Sequence, residues 1–212
     1  EIPSEEYDIA VFENRFPSLT PAPPDPSTEG TWITPVRPSE GVCEVVCYSS
    51  DHDATFATLP LSQIKKLARV WKDRYVGLCA REGVEYVFIF ENKGKETGVT
   101  LSHPHGQIYA YPFIPPVVRE ELAAERAHFE QHERRLMSDV LEEEFIDGRR
   151  IVWESERFVA FVPFFARYPY EVYVTTKEHV TSLAEMDDVL LDGLAEALHG
   201  VTQQHQQACP RG

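Results

Sequence analysis

Ser102-His103-Pro104-His105-Gly106-Gln107 is the densest concentration of reactive and donor groups in the chain. Two imidazoles stand two residues apart, just before a run, 107–111, that reads as a strand. A neutral imidazole is a good nucleophile near pH 7 and can attack phosphorus. Gly106 lets a ligand come close to the backbone, and Gln107 offers an amide donor without charge. Upstream, Asn92, Lys93, Gly94, Gly98 and Thr100 add donors and backbone-permissive residues. That inventory suits a phosphate group. The competing reading is a turn whose histidines only cap hydrogen bonds. A lone histidine would favour it; two of them before Gly-Gln, after a donor-rich loop, do not.

The rest of the chain has to hold that segment. It has 212 residues, 20 Lys+Arg against 35 Asp+Glu, and a net charge of −15. The acidic excess argues against a non-specific nucleic-acid binder or a binder of anionic membranes, yet allows one local phosphate site. With 42% hydrophobic and 26% charged residues the composition is globular. The longest apolar run, 158–165, is broken by Pro163 and is far shorter than the ~20 residues of a membrane helix. The first residues lack the basic start and apolar core of a signal peptide, so a cytoplasmic location is expected. Cys43, Cys47, Cys79 and Cys209 form no C-x-x-C pair, so neither a zinc knuckle nor a disulfide framework is expected from them.

Strands are expected over 8–12, 43–48, 84–90, 107–111, 150–154, 158–162 and 171–176. The 84–90 run is apolar at most positions and reads as buried on both faces. Residues 18–41 hold six of the 16 prolines and read as a loop. Thr58-Leu59-Pro60 starts a helix, with Pro at an early helical position and Leu61, Ile64, Leu67, Ala68, Trp71, Tyr75 and Leu78 recurring at three and four. One long charged helix is expected over 117–143 and a last helix over 189–203. On the long helix, His128 and His132 share a face with Glu121 and Glu125. This reads as a solvated charged face rather than a metal site. Helices alternate with hairpin-like strand pairs, which points to α+β with a mainly antiparallel sheet. There is also an internal repeat: 44–52, a strand followed by two hydroxyl residues, an acid and His52, resembles 171–179, which ends in His179. Each is followed by a leucine and an amphipathic helix.

Glu91-Asn92-Lys93-Gly94, Gly98-Val99-Thr100-Leu101 and His103-Pro104-His105-Gly106-Gln107 together resemble the galactose-1-phosphate uridylyltransferase family of the histidine-triad (HIT) superfamily. The likeness extends to Val11-Phe12-Glu13-Asn14-Arg15-Phe16-Pro17, to Cys47-Tyr48-Ser49-Ser50-Asp51-His52, and to the segments around Val162-Pro163-Phe164 and Lys177-Glu178-His179. It runs from about residue 7 to about residue 200. It implies a HIT-like duplicated fold, with a first unit over 1–146 that carries the site and the long helix. The second unit, 147–212, is expected to be incomplete. His52 precedes His103 by 51 positions (103 − 52), and 179 + 51 = 230 exceeds the chain, so the second returning strand has no place.

The same resemblance implies roles residue by residue. His105 would be the nucleophile that takes UMP from UDP-glucose and passes it to galactose 1-phosphate. Gln107, where hydrolytic relatives carry a histidine, would hold a phosphoryl oxygen and favour transfer over hydrolysis. Phe12 and Asn14 would contact uracil and ribose, with plain core packing an equal reading for Phe12. Asn92 and Thr100 would contact phosphate or ribose, Thr100 standing in for the usual serine. His52 and His103 match two ligands of a structural zinc whose cysteine pair would lie upstream of Glu1. Glu121 matches one ligand of a second metal whose three histidines have no counterpart. A homodimer, or association with a missing C-terminal portion, is expected. Alternatives are a dinucleotide phosphorylase or adenylyl transferase using the same histidine, and a nucleotide-binding fragment without turnover.

Overall fold

A computed structural model describes residues 6–94, 97 and 103–208. The chain divides into two compact units, 1–54 with 73–115, and 55–72 with 116–212. The segment 116–146, expected with the first unit, therefore clusters with the second.

The first unit is built on four antiparallel strands, β1 (Ala10–Glu13), β2 (Val42–Cys47), β3 (Tyr86–Phe90) and β4 (His105–Tyr111), in the order β1-β2-β4-β3. β4 is paired on both sides. Its register sets Cys47 opposite His105, Val45 opposite Gln107, and Phe90 opposite Gln107 from the other neighbour. Successive side chains of a strand point to opposite faces. His105, Gln107, Tyr109 and Tyr111 therefore share one half-buried face, while Gly106, Ile108 and Ala110 are buried on the other. Val42, Val46 and Val87 join that buried face, with Tyr48 following β2. There Glu44 of β2 takes a bidentate pair from Arg74, at 2.6 and 2.9 Å, which satisfies an otherwise costly buried carboxylate. Arg74 belongs to α1 (Leu61–Cys79), whose residues to Lys72 cluster with the second unit.

The expectation that the 84–90 run is buried on both faces is corrected. β3 is an edge strand, and its Phe88 is 43% exposed. Aromatic stacking along the sheet carries this strand instead: Phe88 on Phe90 at 4.9 Å and Phe90 edge-on to Tyr109 at 5.1 Å. The proline-rich loop is pinned at its base by Thr20 N–H to Ser39 and Gly41 N–H to Thr20, both 3.0 Å.

The second unit carries β5 (Ile151–Glu154), β6 (Phe158–Phe161) and β7 (Tyr173–Thr176), antiparallel in that order. β6, Phe158-Val159-Ala160-Phe161, is buried at all four positions and so on both faces. Val159 and Phe161 pack with Leu141, Met137 and Val140, and Phe158 faces α4 (Asp188–Ala208). α4 comes close because Gly193 and Gly200 lack a Cβ. One there would lie 2.8 Å from Phe158 and 2.5 Å from the Trp153 indole nitrogen. Lys65 and Arg69 of α1 tie to Asp192, and Lys65 also to Glu196.

The single helix expected over 117–143 is two helices, α2 (Pro116–His132) and α3 (Leu136–Asp147). Glu133 takes a left-handed backbone (φ 56°) with neither proline nor glycine present. Side chains make the break. The Glu125 carboxylate accepts the first N–H groups of α3, from Leu136 at 3.0 Å and Met137 at 3.1 Å. His128 Nε2 meets Asp139 at 2.7 Å. The face read as solvated is in part a helix–helix joint.

β1–β2–α1 and β6–β7–α4 repeat one antiparallel pair followed by a helix, as the internal repeat predicts. No helix among the described residues is long and apolar enough to cross a membrane.

Candidate active site

His105 opens β4, an inner strand that pairs with β2 from His105 onward and with β3 from Gln107 onward. Its Nδ1 lies 2.8 Å from the carbonyl oxygen of His103. A carbonyl only accepts, so this bond places the proton on Nδ1 and leaves the Nε2 lone pair for attack. Gln107 stands two residues on, on the same face. Asn14 Nδ2 donates to its Oε1 at 3.5 Å, and the Tyr109 hydroxyl donates to the same oxygen at 3.3 Å. With its oxygen receiving both, the amide presents its NH2 as the donating end. That is the polarity needed to hold a phosphoryl oxygen.

Phe12 is half-buried in β1, opposite Val45, which is opposite Gln107. It thus belongs to the face that carries His105. Asn14 follows β1, fixed by its N–H to the Cys43 carbonyl at 2.8 Å. Asn92 is exposed in the segment leaving β3. Thr100 lies outside the described residues. The register thus brings Phe12, Asn14, His105 and Gln107 together on one sheet face.

His52 and His103 also meet. Their Nδ1 atoms are 3.2 Å apart. Two nitrogens bound tetrahedrally to zinc at about 2.0–2.1 Å would stand about 3.3 Å apart, so the pair fits one edge of a zinc site. The Tyr7 hydroxyl lies 2.8 Å from His103 Nε2, which turns the Nδ1 of His103 toward His52. Tyr7 also bonds the Cys47 thiol; burial and that neighbour push its pKa up to about 12. Burial pushes the Cys47 thiol up as well. Cys43 and Cys47 are buried thiols outside any disulfide. Glu121 sits on the exposed part of α2, near Tyr173. Among the described residues no group of three or more His, Cys, Asp and Glu side chains is placed to hold a metal ion.

Three residues beside the site are given no role by the sequence, although two of them, Tyr48 and Glu91, stand in segments that carry the resemblance. Tyr7 reaches His103 across 96 residues. The buried Tyr48 hydroxyl and the Glu91 carboxyl form a hydrogen bond beside Gly106. Burial raises both pKa values, most of all the phenol's.

Two family models match the chain: the galactose-1-phosphate uridyl transferase N-terminal domain over residues 2–115, and the C-terminal domain of the same family over 121–208. A galactose-1-phosphate uridylyltransferase of Thermotoga maritima is 44% identical over 207 residues, 98% of this chain and 64% of that protein. One from Streptomyces lividans is 43% identical over 86% of this chain and 47% of that protein. A solved structure described as a uridylyltransferase superposes with a TM-score of 0.85 at 37% identity, covering 91% of this chain and 61% of that one. The chain thus spans between about half and just under two thirds of the length of these relatives.

Proposed function

The chain belongs to the galactose-1-phosphate uridyl transferase family, and on that premise we propose that it works in UMP transfer between UDP-glucose and galactose 1-phosphate. The observation that carries the reading is the 2.8 Å contact of His105 Nδ1 with the His103 carbonyl. It leaves Nε2 unprotonated on a fixed strand. Nε2 attacks the α-phosphorus, a P–N bond forms, the bond to the bridging oxygen breaks, and glucose 1-phosphate leaves. A phosphate oxygen of galactose 1-phosphate then attacks the same phosphorus, the P–N bond breaks, and UDP-galactose leaves with His105 restored. Gln107 donates to a phosphoryl oxygen through both steps; having no acid or base function, it does not activate water. Phe12 and Asn14 are the uracil and ribose contacts, with Asn92 and Thr100 toward the phosphates.

His52 and His103 would hold two positions of a structural zinc, with Tyr7 fixing the His103 ring. Glu121 would serve one position of a second metal. Neither metal takes part in the transfer steps above. With two imidazoles alone, elemental analysis of this 212-residue chain should find little zinc. The working enzyme is a cytoplasmic assembly with a second copy or with the remaining length that its relatives possess.

The test is covalent. UDP-glucose carrying a radiolabelled α-phosphate should leave an acid-labile label on His105, and His105→Gly should abolish it. A label that persists in that variant would overturn the assignment. Labelling by ADP-glucose in place of UDP-glucose would favour the adenylyl-transfer reading, and nucleotide binding without any label would favour a binding fragment.

A further inference from the structure

Three strands end at one point of the first unit. Tyr48 follows β2, Glu91 follows β3, and Gly106 is the second residue of β4. Tyr48 is 2% exposed, and its hydroxyl bonds the Glu91 carboxyl. That hydroxyl lies directly against Gly106: a Cβ there would be 2.1 Å from it. The backbone N–H of Tyr48 donates to the Pro104 carbonyl at 3.0 Å. Tyr48 thus touches the residues on both sides of His105, one through its backbone and one through its ring. Glu91 is exposed as a residue, but its carboxyl turns inward to this hydroxyl. Nothing in the transfer steps calls on a buried tyrosine and an inward-turned carboxyl at this spot.

We propose that Tyr48 and Glu91 are positioning residues that hold the 103–106 backbone and so keep the His103 carbonyl on His105 Nδ1. This deepens the reading of His105 as the nucleophile. The carboxyl acts as an acceptor: it fixes the phenol's rotation and height, and the phenol fixes Gly106. If the hydroxyl is lost or unheld, the backbone settles toward the space beneath Gly106. The Nδ1 bond to His103 then lengthens, and Nε2 spends part of its time protonated.

The test uses the 212-residue chain with 15N-labelled histidine, and Tyr48→Phe, Glu91→Ala and Glu91→Gln. Ring nitrogen shifts of His105, identified by their loss in His105→Gly, report in alkaline buffer which nitrogen holds the proton. Label formation from UDP-glucose gives a rate and a half-saturating concentration. Tyr48→Phe and Glu91→Ala should mix the two tautomers and slow label formation about tenfold, the effect of one modest hydrogen bond, with half-saturation within about twofold. Glu91→Gln keeps an acceptor oxygen and should match wild type in both. Unchanged ring nitrogens in both Tyr48→Phe and Glu91→Ala, each folded by circular dichroism, would overturn the proposal. So would a Glu91→Gln as impaired as Glu91→Ala. If the wild-type chain takes no label, it is the transfer reading that fails, and the ring nitrogens alone decide the positioning role.

Discussion

Gly106→Ala is the substitution whose cost the structure sets most directly. The added methyl would lie 2.1 Å from the Tyr48 hydroxyl oxygen, 3.0 Å from the Tyr48 ring and 3.0 Å from the Phe90 carbonyl. Real Cβ contacts do not fall below 3.0 Å, so something must move by at least 0.9 Å (3.0 − 2.1). Neither neighbour yields easily. Tyr48 is 2% exposed and hydrogen-bonded at both ends, and the Phe90 carbonyl belongs to the β3–β4 ladder. Overpacking of this kind costs up to about 3 kcal/mol, and losing the Tyr48–Glu91 bond adds about 1 kcal/mol. Against a typical domain stability of ~5–15 kcal/mol that is a large fraction, readable as a lower urea midpoint by circular dichroism. A displacement near 1 Å at the nucleophile should also slow label formation about 100-fold. The double variant Gly106→Ala/Tyr48→Phe removes the nearest atom and should regain a good part of the stability. A Gly106→Ala protein with the wild-type urea midpoint would show that this contact does not constrain the strand.

Two further outcomes follow from other parts of the first unit. Arg74→Met leaves the buried Glu44 carboxylate without its bidentate partner and should cost ~2–3 kcal/mol in urea unfolding; Glu44→Gln/Arg74→Met should recover part of it, and equal midpoints for wild type and Arg74→Met would refute the role of the pair. Tyr7 has its pKa raised from 10.0 to about 12, so the folded state favours the neutral phenol. Its contribution is complete below pH 10 and is lost as pH rises toward 12. The stability of wild type relative to Tyr7→Phe should therefore fall between those values, and a constant or rising difference would contradict it.

The legible parts were those governed by local pattern. Apolar spacing at three and four places α1, and the strand expected over 107–111 is found within β4, which begins two residues earlier at His105. The 117–143 segment failed because nothing local marks its break. The helix stops where Glu125 reaches forward to cap Leu136 and Met137, a side-chain contact eleven residues distant in sequence. Apolar content misled at 84–90, since a run of Tyr, Val and Phe reads the same in a central strand and in an edge strand whose aromatics stack on a neighbour. Only pairing order separates them, and pairing order is long-range. The resemblance points to His105 as nucleophile and to His52 and His103 as a zinc pair, and the structure sets the Nδ1 atoms of that pair 3.2 Å apart. It could not name Tyr7, because the link to His103 arises only when β1 is laid beside β2.

The pairing of β4 restricts how far His105, the nucleophile of the proposed transfer, can move. β4 is held from both sides, so its backbone cannot drift along or out of the sheet without breaking two ladders. Its chemical residues, His105 and Gln107, alternate with Gly106 and Ile108, both buried. The face of His105 and Gln107 is half-buried while the other face is packed. A rigid element of this kind places a reacting atom more reproducibly than a loop. The remaining freedom is at the strand's first residues, where the ladder begins and His105 stands. That is where Tyr48 and Glu91 converge, on residues that β2 pairs and β3 does not. Substitutions behind β4 should therefore change the rate of the phosphorus step more than nucleotide affinity, whereas substitutions at Phe12 and Asn14 should do the reverse.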